Sequence, residues 1–413
     1  MFKRFCAKVL VFVMLFGIVF TMPLPNASAQ TSQGNDHPIV MVHGLGGWGP
    51  GEMLGFRYWG GVGDIIGHLR GQGFTVFEAS VSGWGSNRNR AIELYYFIRG
   101  GTVDYGAAHA AMHGHERFGR TFPGVFPEWS EENKVHIIGH SMGGLTARAL
   151  SNLIAEGCAI EREFHERHPE LGIAPLFFEA EQMIHSITTV GTPHNGASFA
   201  EDRNAFIHFA RDLTLGLAAL SGIAPNIVVY DLGMDHFGLS RQPRETFGQY
   251  VRRVFQSPVW HTEAVALHCL SVSGITQNAQ LLQTRPDIYY FSHTAQATER
   301  IPFTNNQRII ATMNPFFMPP SRFIIRYTDY RSDPQITSAW APNDGMVSVV
   351  SSLHPFGHPA RPYCGRPVPG EWNFHPVMMR WDHLDIVGIG TRLPREVNQL
   401  YLQMARRVQN LPA

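Results

Sequence analysis

The chain is poor in cysteine, in lysine and in charge of either sign. It has four cysteines in 413 residues, Cys6, Cys158, Cys269 and Cys364. No CxxC spacing joins them, which excludes a disulfide framework and a zinc knuckle and leaves core packing as the main role. Charged residues make up 16%, with 33 bases against 33 acids, while apolar types make up 44%. A disordered chain needs low hydrophobicity and high net charge, and a nucleic-acid binder needs a basic face, so both classes are excluded. The 41 glycines and 27 prolines follow no period, which excludes collagen. There is no P-loop pattern, and no nucleotide or redox-cofactor site is visible.

The one long uncharged apolar run, Val9 to Phe20, stands at the start. Lys3, Arg4 and Lys8 surround its beginning and Ala27-Ser28-Ala29 follows it. That order reads as a secretory signal peptide over residues 1–29, so the mature chain is expected to be secreted and to start at residue 30. No later 18-residue window lacks polar breaks, so no transmembrane span is expected in it. Removing the three leader bases from 33 leaves 30 against 33 acids, net −3, and Lys134 as the sole lysine. Arginine in its place keeps its charge at alkaline pH; composition bias or adaptation to alkali or heat would both give this pattern.

The mature chain alternates between strand and helix signals. Strands are expected at His37–His43, Thr75–Val81, Lys134–Gly139 and His185–Val190, and also at Arg322–Tyr327 and near Ser271–Gly274. Helical spacing covers Trp59–Arg70, Glu93–Arg99 and Met142–Ala155. Such alternation implies a mostly parallel sheet covered on both faces. Two stretches break the rhythm: 100–129, rich in Gly, His and aromatics, and 197–257, helical with loops. They read as insertions on a single domain, 30–413.

Gly139-His140-Ser141-Met142-Gly143 fits G-x-S-x-G between a strand and a helix. A serine on so sharp a turn projects above the sheet, and the small neighbours let strand and helix approach. The helix N-terminus turns backbone N–H groups toward a developing oxyanion. A second donor is expected from the loop after the first strand, His43-Gly44-Leu45-Gly46. The backbone N–H groups of Leu45 and Met142 are therefore the expected oxyanion hole.

A triad of this kind runs Ser, then acid, then His. Asp344, in a turn between Pro342 and Val347, and His383, in Trp381-Asp382-His383-Leu384-Asp385, fit that order. Asp329 and Asp333 compete for the acid, and His354, His358 and His375 for the base. Spacing alone leaves these open.

The chain resembles the secreted lipases of the thermoalkalophilic Geobacillus type, related to the staphylococcal lipases, from about His37 to Val408. The resemblance rests on HGLGGWG (43 to 49), GFRYWGG (55 to 61), GGTVDYGAAHAAMHGHERFGRTFPG (100 to 124) and TTVGTPHNG (188 to 196). It rests further on YDLGMDHFGLSRQP (230 to 243), SPVW (257 to 260), NDGMVS (343 to 348) and DHLDIVG (382 to 388). It implies an α/β-hydrolase fold with zinc-site and lid insertions, and it selects Asp344 and His383 as triad partners of Ser141. At the nucleophile the chain departs from those relatives. Gly139 and Met142 stand where they usually have Ala and Gln.

The resemblance also implies a structural zinc ion in the insertion. His109, His115 and Asp235 match three of its four ligands, and Asn89 stands at the fourth. An amide oxygen is neutral and weaker than a carboxylate, so zinc affinity is expected to be reduced, with His113, His236 or water completing the set. A calcium site is implied at Asp385, but Gly390 and Thr391 replace an aspartate and a proline there, which weakens it.

Residues 199–229 correspond to the family's lid. Phe206, Phe209, Leu213, Leu217 and Leu220 recur at helical spacing, with Asp202, Arg203, Arg211 and Asp212 on other faces. The expectation is a triacylglycerol lipase that acts on water-insoluble acylglycerols at a lipid–water interface. The rivals are a lidless soluble carboxylesterase or acyltransferase on the same fold, and a non-enzymatic surface-binding protein.

Overall fold

The computed structural model describes residues 34–178, 181–220 and 230–413, without the side chains of 217, 219 and 220. The expected leader, residues 1–29, lies outside the described residues, as do lid residues 221–229 and the side chains of Leu217 and Leu220. Residues 36–409 form one unit; 34–35 and 410–413 belong to a second, small one, in which Asn35 donates to the Leu411 carbonyl at 3.1 Å.

The larger unit is built on seven strands: β1 (Ile39–Val42), β2 (Val76–Glu78), β3 (Val135–His140), β4 (Ile184–Val190), β5 (Tyr289–His293), β6 (Ala360–Pro362) and β7 (Trp372–Phe374). Their order is β6-β7-β5-β4-β3-β1-β2, and every neighbouring pair is parallel. β1, β3 and β4 are buried along their whole length, as strands covered on both faces must be. Burying Val40, Ile137, Ile138 and Ile187 completely stabilises the sheet by about 1.5–3 kcal/mol each. The register that pairs Ile39 with His136 and Val42 with Gly139 brings the ends of β1 and β3 to one edge. Every loop leaving these parallel strands therefore opens on the same side, where the serine turn, the His43–Gly47 loop and the Gly191–His194 loop meet.

The helices that matter for that edge are α1 (Ile65–Gly71), α2 (Asn87–Arg99), α3 (Met142–Glu156), α4 (Arg203–Leu220) and α5 (Pro394–Gln409). α3 packs on β1, β3, β4 and α2, and α5 packs on α1. Ser86 caps α2 by accepting from Asn89 N. The 100–129 segment is an antiparallel hairpin, Gly101–Asp104 with Phe118–Phe122, around a short helix, Ala107–His113.

Two expected strands are helical. Arg322–Tyr327 lies largely in the helix Met318–Arg326, whose first turn holds Pro319 and Pro320; a residue fixed in φ and without an N–H suits a helix start, and it outweighs the β-branched Ile324 and Ile325. Ser271 caps a helix, Val272–Gln277, by accepting from Gly274 N at 2.9 Å. β5, β6 and β7 were not legible, since short or polar strands carry no periodic signal.

Many histidines are buried. Burial holds His43 down to about 3, helped by the Arg90 charge, and drives His136, His140, His194 and His293 well below the ordinary value. A depressed imidazole contributes stability above its unfolded value of about 6.5, and this is lost as pH falls. Glu78, pushed up to about 7, and Asp382, to about 6, act in the opposite sense, as do Glu52 and Glu93. The half-buried His37, His358 and His375 add to the imidazole side. The lowered imidazoles outnumber the raised carboxyls, so the unfolded chain binds more protons below pH 6.5, and each net proton is worth about 1.4 kcal/mol per pH unit. The urea midpoint is expected to fall between pH 7.5 and 5.0; a higher midpoint at pH 5.0 contradicts this balance.

Candidate active site

Ser141 sits between β3 and α3 with φ +55° and ψ −128°, a left-handed backbone for a residue with a side chain. The turn holds because its neighbours are small: a Cβ on Gly143 would fall on the Val42 carbonyl. Ser141 N donates to the Val190 carbonyl at 2.8 Å, and Thr192 Oγ1 donates to the Ser141 carbonyl at 2.8 Å.

Ser141 Oγ lies 2.9 Å from His383 Nε2, and His383 Nδ1 lies 2.7 Å from Asp344 Oδ2. With Asp344 ionised, Nδ1–H donates to the carboxylate and Nε2 accepts the serine proton. Asp344 is buried, and its Oδ1 accepts from Met346 N at 2.9 Å and Val347 N at 2.8 Å. His383 N donates to the Asp344 carbonyl at 2.9 Å, so main chain and side chain bind the two loops together. The competing residues are engaged elsewhere. Asp329 accepts from Arg331 N, Asp333 accepts through its carbonyl from Thr276, His354 Nδ1 lies by the Pro355 carbonyl, His358 pairs with Thr284, and His375 stacks on His293.

In the loop after β1 the amides are spoken for one by one. Gly44 N donates to Tyr58 Oη, Gly46 N to the Gly83 carbonyl and Gly47 N to the Gly44 carbonyl. Leu45 N has no protein acceptor among the described residues, nor does Met142 N at the start of α3. These two unspent donors flank Ser141. Two residues absent from the sequence reading hold the loop. Arg90, fully buried on α2, donates to the His43 and Ser82 carbonyls, each at 2.5 Å, and to Thr146 Oγ1 on α3 at 2.9 Å. Tyr58 is the other. Tyr58 lay inside the family stretch 55 to 61 and Arg90 in none, and no spacing rule gives an arginine or a tyrosine a role.

Above Ser141 and His383 lies a small apolar cavity of ≈ 40 Å³ walled by Leu45, Trp48, Phe206, Leu213 and Phe317. Phe206 and Leu213 come from α4, and Phe209 meets Phe199 and Phe317. So little space cannot admit an acyl chain, which needs a pocket of several hundred Å³.

A family model described as "Lipase-like, C-terminal domain" matches residues 35–409. The chain belongs to this lipase-like family. It is 38% identical to a lipase of Staphylococcus epidermidis over 370 residues, 88% of this chain and 52% of that protein. It is 39% identical to lipase 1 of Staphylococcus aureus, over 86% of this chain and 51% of that one. The chain thus spans about half the length of the curated relatives it matches. Among solved structures it superposes on EstA from Clostridium botulinum with TM-score 0.86 at 37% identity, covering 93% of this chain and 90% of that one. It superposes on lipase 1 from Pelosinus fermentans with TM-score 0.82 at 38% identity, covering 91% and 99%. The Staphylococcus hyicus lipase follows with TM-score 0.76 at 33% identity, covering 92% and 96%. The seven-stranded parallel sheet with flanking helices is that of the α/β-hydrolase fold.

The family's metal positions are only partly furnished. His109 Nδ1 and His115 Nε2 face each other at 2.9 Å, and His115 Nδ1 lies 2.8 Å from the Glu116 carbonyl. Burial keeps His109 neutral, as a ligand must be. Asn89 Oδ1 is buried without a partner, while its Nδ2 lies 3.3 Å from His236 Nε2. Asp235 instead faces Arg120 at 4.0 Å. Among the described residues no three His, Cys, Asp or Glu side chains converge to hold a metal, so this donor set does not fit a tetrahedral zinc site. Dialysed protein is expected to carry well under one equivalent of zinc by elemental analysis, with no melting shift on chelation; a full equivalent would mean that Asp235 swings away from Arg120.

The calcium position does not fit either. Asp385 Oδ1 accepts from Thr391 N at 2.6 Å and Oδ2 from Asp382 N at 3.1 Å. Arg392 Nε stands 3.9 Å from Oδ2, putting a guanidinium where the cation's charge would be. A Cβ at Gly390 would overlap Asp385 Oδ1, so a carboxylate there requires the Asp385 side chain to shift.

Proposed function

We propose that the chain is a secreted carboxylester hydrolase of the triacylglycerol-lipase kind, working through an acyl-enzyme. The observation that carries this is the hydrogen-bonded series Ser141–His383–Asp344 beneath an apolar cavity roofed by α4. His383 Nε2 takes the Ser141 proton as Oγ attacks the ester carbonyl, and Asp344 holds the ring and stabilises the imidazolium. The amides of Leu45 and Met142 receive the oxyanion. His383 then returns the proton to the leaving alcohol, and water, deprotonated by the same ring, releases the fatty acid. The expected leader and the family support secretion, and no described helix is long and apolar enough to cross a membrane.

α4 acts as the lid. Its apolar face, Phe206 and Leu213 among it, closes the site in water and gains from burial in lipid, so a lipid surface favours the open state. Hydrolysis of a short triacylglycerol is therefore expected to rise sharply when the substrate passes its solubility limit. A smooth saturation curve through that limit would identify a plain soluble esterase.

A further inference from the structure

We propose that the Tyr58 hydroxyl is the pin that sets the spacing between the oxyanion loop and the nucleophile turn, a positioning residue for acyl transfer. The inference rests on the reading of Ser141 as the nucleophile of an ester hydrolase. Tyr58 Oη accepts from Gly44 N at 2.8 Å and lies 2.6 Å from His140 Nδ1. A phenol has one proton. Having accepted from Gly44, Tyr58 donates that proton to His140, which fixes His140 as the Nε2–H tautomer. Gly44 precedes Leu45, one expected oxyanion donor, and His140 precedes Ser141, itself followed by Met142, the other. One oxygen thus bridges the two backbone segments that carry the two donors and the nucleophile.

The pin is rigid. The Tyr58 ring is buried between Trp48 at 5.3 Å and Trp59 at 5.2 Å, both edge-on. Its own loop is closed by the reciprocal bonds of Arg57 and Gly61, each 2.9 Å. Burial pushes the phenol up, and the imidazole of His140 down, so neither group changes charge in the working range. The His140 ring lies 4.7 Å from the His383 ring, so the same contact also backs the general base. The triad's hydrogen bonds do not pass through Tyr58. Its removal should leave Ser141, His383 and Asp344 connected and loosen only the geometry of the hole. A displacement of a fraction of an ångström to one ångström there costs about 10- to 100-fold in rate.

Tyr58→Phe keeps the ring and removes the oxygen. Arg90 still clamps the His43 carbonyl, so the variant is expected to melt within a few degrees of the parent. Turnover on a soluble ester should fall about 10- to 100-fold with KM nearly unchanged. A trifluoromethyl ketone, whose adduct with Ser141 bears an oxyanion, should weaken by the same factor, while inhibition by a free fatty acid should not move. His140→Leu breaks the pin from its other end and serves if Tyr58→Phe folds poorly. Its loss should be at least as large, because its ring also backs His383, and the double variant should lose no more than His140→Leu alone. Turnover within twofold of the parent, or equal weakening of ketone and fatty acid, overturns the proposal. An inactive parent that no phosphonate labels would instead overturn the underlying reading.

Discussion

Ser141→Ala is expected to lower ester hydrolysis by at least about 10⁴-fold while the melting temperature stays near that of the parent. The magnitude follows from the loss of the atom positioned to attack: Oγ is the group 2.9 Å from His383 Nε2. What remains in the variant is binding and two oxyanion amides, which stabilise a transition state that now needs water as nucleophile. The strained backbone at Ser141 does not depend on the hydroxyl, since it is held by Ser141 N, its carbonyl and the small neighbours, so the fold should persist. Initial rates on a p-nitrophenyl ester, with calorimetry on the same samples, check both halves. A tenth of the parent activity in a folded variant would remove Ser141 from its role.

Asp344→Asn should cost about 10⁴-fold in turnover for a different reason. The amide keeps the shape but offers an N–H where the carboxylate accepted, so His383 is driven to the tautomer with its proton on Nε2 and can no longer accept from Ser141. The imidazolium of the transition state also loses its counter-charge. Oδ1, which takes the Met346 and Val347 amides, is retained if the side chain keeps its orientation, so the loop should fold. Binding of a fatty-acid inhibitor should be unchanged. If Asp333→Asn proved the damaging change and Asp344→Asn stayed near the parent, the acid would have to be placed elsewhere; Asp333 bonds to Thr276 and makes no contact with His383 among the described residues.

The parts of this arrangement that were legible in sequence are those fixed by short-range rules. β1, β3 and β4 are apolar runs between glycine punctuation, and the serine turn is a local motif with a steric reason for each glycine. Asp344 and His383 are different: they lie 203 and 242 residues from Ser141, and only the family stretches NDGMVS and DHLDIVG separated them from Asp329, Asp333 and three histidines. Arg90 and Tyr58 were not legible at all, because they act by reaching backbone atoms 47 and 14 residues away, and such contacts leave no period. The two strands that became helices failed where propensity competes with capping: Pro319–Pro320 and the Ser271 cap overrode β-branched neighbours. The metal positions rested on the family match and not on a chemical signal in the residues. Matching positions brought His109, His115, Asp235 and Asp385 into view, but Arg120 and Arg392 stand where cations would have to compete.

The measurement that bears most directly on the central claim is covalent labelling by a long-chain p-nitrophenyl alkylphosphonate in the presence of a lipid emulsion. The account predicts release of one equivalent of p-nitrophenol per chain, complete loss of ester hydrolysis in step with it, and a single modified peptide carrying the phosphonate on Ser141. Labelling should be much slower without the emulsion, because α4 covers the site. An active preparation that keeps its activity after such treatment, or that carries the label on another residue, would contradict it.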